Sequence, residues 1–512
     1  MAAAGGAACL RRSLGCLVTM LAILGTCGMS KETSSSVNLT VSPPGNSTAA
    51  LNVDDTANSS NAEGANVTDA GSFSYHKPAF PLDWEHDGRT LIFASLGLIV
   101  AASGGIGGGG ILVPLFMLLL KFRPKHAIAL SNFTILGGAI ANTVVNVRKR
   151  HPHGDRALID WDLILVMEPL TIFGAVFGSL LSKVLPNIVL TVMLVAILAF
   201  MGQRTVGKGL KMWNEESVSK ARVVETSSIE MSADGCTGHA PLTASDTAAE
   251  DQPYVEMQAD GAPSDTCRRQ AVASPAAVAP AGVRFKVGML TMCFVGTCML
   301  TLLKGGGHFP SPLGVGCGST GFWGLYLGQV PWVLAFALYF RSMLVTEFEE
   351  KVRTGYTFIK GEVEWNSHNT IKYPVLCAAS GLLAGLFGVG GGIVKGPLML
   401  EMGVVPAVAS ASAAAMILFT AAAASISFIV FGLLHTAYGA MFFCLGVTCT
   451  AVGQYTVGKW VKKYERQSPI VLSIGSVIVL SSVLIAIDTV AEATGRSASE
   501  LLAPHGICSN DA

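Results

Sequence analysis

The chain has 512 residues, of which 51% are hydrophobic and only 13% charged, with a mean hydropathy of +0.53 and zero net charge. Soluble globular proteins carry about 25% charged residues, so this composition excludes an ordinary soluble domain and predicts a polytopic membrane protein. The charge balance gives no bulk attraction to nucleic acid.

In chain order, Arg11 and Arg12 precede a short apolar stretch at about 14–28, followed by small residues. This reads as a signal peptide or signal anchor over 1–29. Residues 30–87 form a tail rich in Ser, Thr, Asn and Ala, with N-x-S/T sequons at Asn38, Asn46, Asn58 and Asn66. Four sequons behind a signal-like segment predict a disordered, glycosylated, lumenal or extracellular tail. Apolar runs near 90–120, 126–147, 162–182, 186–207, 285–304, 320–340, 373–400, 406–431, 434–457 and 469–490 are long enough, or nearly so, to span a bilayer. They group into a first transmembrane repeat (88–207), connecting helices (284–345) and a second repeat (373–490). A polar linker read as disordered (208–283), a loop (346–372) and a C-terminal tail (491–512) complete the chain.

The repeat rests on a glycine motif that occurs twice. GIGGGGILVPL starts at Gly105 and GVGGGIVKGPL at Gly388, and an ungapped alignment superposes Gly107, Gly108 and Gly109 on Gly390, Gly391 and Gly392 and Pro114 on Pro397. Each glycine costs about 1 kcal/mol of helix propensity relative to alanine, so both segments are predicted to be broken membrane helices. Non-helical backbone at membrane depth must be buried in protein or line a cavity. Duplicated breaks are a signature of secondary transporters, with half-helix starts aimed at an anion. Gly107, Gly108, Gly109, Gly110, Gly390, Gly391 and Gly392 are therefore candidate anion-binding residues. The competing reading is close helix packing through small residues. A dinucleotide fold is rejected, because Ile393 replaces the last glycine of G-x-G-x-x-G in the second copy.

Polar residues inside the apolar runs extend the candidate site. Ser131, Asn132 and Asn142 follow the first motif, with Thr134 and Asn146 beside them. Ser410, Ser412, Thr420, Ser425 and Ser427 lie in the corresponding second-half stretch. For any one of them, hydrogen bonding between helices is the competing reading. Lys395 lies just after the second glycine run and is a candidate cationic contact, with snorkelling to an interface as the alternative. Glu168 lies inside an apolar span and is a candidate proton-coupling site, with pairing to a basic loop residue as the alternative. Twelve cysteines over this length make neither a disulfide scaffold nor a zinc site. Cys293, Cys298, Cys317, Cys377, Cys444 and Cys449, in or beside apolar runs, read as small packing residues.

Sidedness does not close with ten full crossings. The positive-inside rule wants the Lys/Arg clusters at 121–125, 148–156, 208–222, 349–360 and 459–466 in the cytosol, and two of them would face out behind an external tail. Re-entrant or split glycine segments remove the conflict and invert the two repeats. A cytosolic tail with unused sequons is the other solution.

The doubled glycine motif, together with HAIALSNFTILGGAIANTVVN from His126, NVRKRHP, LIDWDLIL, FWGLYLGQVP and SAAAMILFT, resembles the TauE/SafE sulfite-exporter family, in particular its eukaryotic, plant-like branch. The likeness covers about 88–490 apart from the insert. It implies a multi-pass carrier of small sulfur-containing anions, such as sulfite or sulfonates, in a plasma or endomembrane. The expected fold is all-α, with two related helical bundles, each carrying a glycine-rich broken helix. The expected partners are the lipid bilayer and a small anionic substrate, with no nucleic acid, cofactor, metal or enzymatic chemistry. An anion channel on the same scaffold, or a membrane receptor or scaffold, is the alternative.

Overall fold

A computed structural model describes residues 84–104, 107–151, 157–233, 282–356, 361–464 and 468–494, with Gly506 and Cys508. The signal segment, the four sequon asparagines and most of the polar insert lie outside the described residues. A short π-helical turn, Trp84–Gly88, leads into α1 (Arg89–Gly104) and α2 (Gly109–Leu118). Next come α3 (Pro124–Asn146), α4 (Trp161–Val184), α5 (Asn187–Ala233), α6 (Val283–Lys304) and α7 (Thr320–Arg353). The chain continues through α8 (Asn369–Phe387), α9 (Gly392–Glu401), α10 (Pro406–Val430), α11 (Thr436–Tyr464) and α12 (Ser468–Thr494). Among the described residues there are no strands beyond an isolated bridge between Arg150 and Ala157. Among the described residues, nine helices are long and apolar enough to cross a membrane. The protein is an all-α, multi-pass integral membrane protein.

Local sequence sets the helix ends. Pro124 and Pro406 open α3 and α10 at positions where the missing N–H costs nothing. The Asp160 carboxylate accepts from the amides of Asp162 at 3.1 Å and Leu163 at 3.3 Å and starts α4. Ser319 caps α7 through the Phe322 amide at 3.3 Å. Each such cap contributes about 1 kcal/mol. Helix α5 does not stop where its apolar run ends but continues to Ala233. The first part of the segment read from sequence as a linker is thus helical. Glu216 ties this extension to the start of α12 by accepting from the Ser468 amide at 3.2 Å and hydroxyl at 2.5 Å.

The two glycine segments make hairpins rather than crossings. Asp87, before α1, accepts from the Tyr438 hydroxyl at 3.3 Å, and Phe122, after α2, stacks edge-on against the same Tyr438 at 5.4 Å. The α1–α2 segment therefore begins and ends on one face of the bundle, the Tyr438 face. Helices α8 and α9 do the same on the opposite face. Asn369 at the start of α8 donates to the Glu364 carbonyl at 3.1 Å. Beyond α9, Val405 lies against Gly361. The buried Trp365 sits in this region, so it is called the Trp365 face.

Burial grades the helices into layers. In α10, 94% of the apolar window is buried, and in α4 83%, against 28% in α5 and α7. Helices α3, α4 and α10 are the inner layer that holds both hairpins. The α8 hairpin arm packs on α4, and the α1 arm packs on α11. At the α4–α8 contact Gly174 and Gly178 face Gly381 and Gly385. A Cβ at any of these would meet a backbone carbonyl of the partner helix. This is the small-xxx-small contact of membrane helices, which lets backbones approach closely.

The described residues also contain a disulfide, between Cys317 in the α6–α7 loop and Cys508 near the C-terminus. This corrects the reading of Cys317 as a packing residue. Its partner lies 191 positions away, and no spacing rule connects them. Cys293, Cys298 and Cys377 are free and buried.

Candidate functional site

The glycine segments break the helices through their backbone angles. Gly107 and Gly108 have φ of 79° and 74°, and Gly388, Gly390 and Gly391 have φ of 68°, 78° and 63°. These left-handed angles suit glycine and strain residues with a Cβ. Gly108 and Gly391 are the N-caps of α2 and α9, neither with a side-chain cap. Each hairpin thus turns into a helix start inside apolar protein, where the partial positive end of the helix is not screened by water.

The two breaks touch each other in the middle of the molecule. A Cβ on Gly109 would collide with the Gly388 carbonyl and lie 2.7 Å from the Val389 Cα. Gly110 is buried in the first turn of α2, and Gly392 in the first turn of α9. Helix α3 fastens the second break. Ser131 Oγ donates to the Gly388 carbonyl at 2.9 Å, and Asn132 Nδ2 to the Ala384 carbonyl at 3.3 Å and the Ile128 carbonyl at 3.2 Å. Asn132 Oδ1 is buried with no partner among the described residues. From the other side Ser380 Oγ donates to the Gly391 carbonyl at 2.9 Å. Ser131 and Asn132 follow the first motif in sequence but hold the second motif in space.

Asn142 belongs to the first break. With Gly107, Ala101, Ile135, Ile417 and Thr450 it lines a cavity of about 20 Å³, roughly the room one water needs. Asn142 Oδ1 accepts from Asn146 Nδ2 at 2.9 Å. Thr134 and Ser427 bond to carbonyls of their own helices. Ser412 accepts from the Asp160 amide at 3.0 Å.

The charged candidates meet one another. Lys395 Nζ donates to Glu168 Oε2 at 3.0 Å and to Thr420 Oγ1 at 2.9 Å, and Thr420 Oγ1 donates to Glu168 Oε1 at 2.6 Å. Both charged side chains are 0% exposed, and Thr420 is 1% exposed. The triad joins α4, α9 and α10, one helical turn beyond the second break. Neither snorkelling of Lys395 nor pairing of Glu168 with a basic loop residue describes this arrangement. The signal was present in the sequence as two opposite charges deep inside apolar runs. Nothing there marked Thr420 as the third member, or Ser380 as the clamp on Gly391.

What the arrangement can do follows from its donors. A small ligand seated at the breaks would meet the amides of two helix starts, with the Lys395 ammonium, held by Glu168, one turn beyond the second break. Among the described residues no group of His, Cys, Asp and Glu could hold a metal ion.

Comparison with known proteins agrees with this architecture. The family model described as sulfite exporter TauE/SafE matches residues 90–243 and 276–485. "Sulfite exporter TauE/SafE family protein 2" of Arabidopsis thaliana is 28% identical over 75% of this chain and 79% of the relative. "Sulfite exporter TauE/SafE family protein 5" of the same plant is 26% identical over 77% of this chain and 81% of the relative. A shorter match, 27% identical over 21% of this chain and 36% of the relative, is to "Probable membrane transporter protein YunE" of Bacillus subtilis. No solved structure matches. With the family model covering both hairpins and the helices that carry Glu168, Lys395 and Thr420, the chain belongs to the TauE/SafE family of membrane transporters.

Proposed function

We propose that this chain is a secondary carrier of small sulfur-containing anions, such as sulfite or a sulfonate, working by alternating access. The observation that carries the reading is the meeting of two glycine breaks inside the protein, from hairpins that enter from opposite faces. That is the arrangement expected of inverted repeats with a ligand at their interface. The relatives' printed description as sulfite exporters supplies the substrate class. The one-water cavity beside Gly107 is too small for an oxyanion, so transport requires it to open, and rocking of one bundle against the other would open it.

Orientation has independent supports. Four of the five basic clusters have described members at the Trp365-face ends of apolar stretches: Arg148 and Arg150 after α3, Lys208 and Lys211 past the apolar part of α5, Lys351 and Arg353 at the end of α7, and Lys459 near the end of α11, and the positive-inside rule makes that face cytosolic. The Cys317–Cys508 disulfide is on the Tyr438 face, as is the entry to α1 behind the sequon-bearing tail, and disulfides persist outside the cytosol. The exception is the 121–125 cluster. There Lys125 is buried and donates to the Lys183 carbonyl at 2.8 Å, which limits its weight as a free surface charge.

The triad suggests the coupling step. While Glu168 is ionised it holds Lys395, so the ammonium is neutralised. Protonation of Glu168 would release Lys395 to face the anion at the second break. Anion and proton would then move together. Counterflow in proteoliposomes tests the function, using a panel of sulfite, sulfate, thiosulfate and sulfonates. Accelerated exchange of a sulfur anion against itself is expected. Flux without exchange stimulation indicates a channel on the same scaffold, and no flux of any of them removes the reading.

A further inference from the structure

Among the described residues, the seam between α6 and α7 buries a cation without a counter-charge. Lys304, the last residue of α6, is 1% exposed, and its Nζ has no hydrogen-bond partner among the described residues. Three aromatic rings surround it, with centroids at 4.4 Å (Tyr326), 5.1 Å (Phe431) and 5.4 Å (Phe322). Other buried lysines in this molecule are treated differently. Lys395 has Glu168 and Thr420, Lys286 has Asp162 and Glu347, and Lys125 has the Lys183 carbonyl.

Two further polar atoms in the same seam, Tyr326 Oη and Gln329 Oε1, are buried without partners among the described residues. Phe322, Tyr326 and Gln329 are spaced to share one face of α7. That face meets α6, where Gln329 Nε2 donates to Thr301 Oγ1 at 3.1 Å. Ring faces attract an ammonium but leave its three N–H donors without strong acceptors. A buried charge so placed calls for a counter-ion.

We infer that Lys304 Nζ and Tyr326 Oη form a binding site for a small monovalent inorganic anion at the Tyr438-face end of α6 and α7. Lys304 supplies the charge, Tyr326 a second donor, and Phe322 and Phe431 the walls that keep water out. In the anion-free state the ring faces hold the ammonium. An anion takes up its unused donors. The site is distinct from the glycine breaks and does not rest on the transport reading.

The test uses the full chain in detergent, with chloride or nitrate replacing gluconate at constant ionic strength. Trp323, edge-on to Tyr326 at 6.0 Å, gives a fluorescence signal beside the site, and thermal unfolding gives a second readout. A saturable rise in unfolding temperature and a saturable fluorescence change are expected for the native chain and for Lys304→Arg. Lys304→Met should lose the saturable component. Tyr326→Phe, which keeps the ring, should raise the half-saturating concentration several-fold. An anion-independent native chain, or a Lys304→Met variant with the full saturable response, overturns the site. If Lys304→Met does not fold, Tyr326→Phe decides, and an unchanged half-saturation in that variant likewise overturns it.

Discussion

Glu168 and Lys395 illustrate how costly and how informative one buried pair can be. Removing one partner of a buried ion pair typically costs about 3–5 kcal/mol, because the other charge is left uncompensated, whereas replacing both by apolar residues is often neutral. Lys395→Met alone should therefore lower the unfolding temperature and yield. Combining it with Glu168→Met should restore stability without restoring transport. A double variant as unstable as Lys395→Met, measured in the same detergent, would show that the pair is not what the single variant disturbs. Glu168→Gln keeps an oxygen acceptor toward Lys395 and Thr420 but cannot exchange a proton. It should remove the pH dependence of transport while leaving anion exchange, and an unchanged pH profile takes Glu168 out of the coupling step. The glycines also separate at this scale. A methyl group on Gly108 would sit tightly, 3.3 Å from Ala101 Cβ, without meeting backbone, and its φ of 74° strains alanine by about 1–2 kcal/mol. Gly109 has no such φ and instead touches the Gly388 carbonyl. Gly109→Ala should push the two breaks apart and abolish transport more completely than Gly108→Ala. Equal activity of the two alanine variants in proteoliposomes would contradict this.

At the scale of helices, α4 and α8 are held by glycine contact rather than by polar bonds. Gly174, Gly178, Gly381 and Gly385 each leave no space for a Cβ, since a carbonyl of the facing helix occupies it. Gly178→Ala and Gly381→Ala should each reduce thermal stability by several degrees and weaken the seating of the second hairpin. Gly324, in α7, has nothing within 4 Å of its Cβ position, and alanine gains about 1 kcal/mol of helix propensity over glycine. Gly324→Ala should match or exceed native stability. If Gly381→Ala and Gly324→Ala melt together, the α4–α8 contact is not close-packed. Close packing through glycine belongs to these four residues, which the sequence reading did not single out, whereas the left-handed φ at Gly107, Gly108, Gly390 and Gly391 belongs to chain reversal.

For the whole molecule, sidedness is the quantity that ties the parts together. With the Tyr438 face outside, the sequons and the Cys317–Cys508 disulfide share one compartment, and the polar insert lies in the other. Glycosidase treatment should shift the native chain on a gel, and replacing Asn38, Asn46, Asn58 and Asn66 with Gln should abolish the shift. Cys317 and Cys508 should resist thiol labelling in intact cells until a reductant is added. Protease applied from the cytosolic side should cut within 234–281. Complete protection of that segment, or labelling of Cys317 without reduction, would reverse the orientation.

Class and span positions were legible along the chain, because apolar run length and low charge are local quantities that a bilayer imposes on each segment separately. The glycine segments were legible for the same reason, since several residues without Cβ in succession weaken a helix wherever they occur. The resemblance to TauE/SafE was likewise carried by contiguous motifs. Partnership was not legible. Lys395 meets Glu168 across 227 positions, Ser131 reaches Gly388 across 257, and Cys317 joins Cys508 across 191, and no periodicity connects residues so far apart. Whether a glycine segment crosses or turns back was also undecided, because a sixteen-residue α1 and a ten-residue α2 have the same composition in either arrangement. Tertiary structure decides it through Tyr438, which contacts both ends of the first hairpin. Ser131 and Asn132 stand out in sequence as polar residues beside the first break, yet the fold sets them against the second. The physical reason is that a buried donor must find an acceptor. Ser131 finds its acceptor on Gly388, and Asn132, besides the Ile128 carbonyl of its own helix, reaches Ala384, both in the other half of the chain.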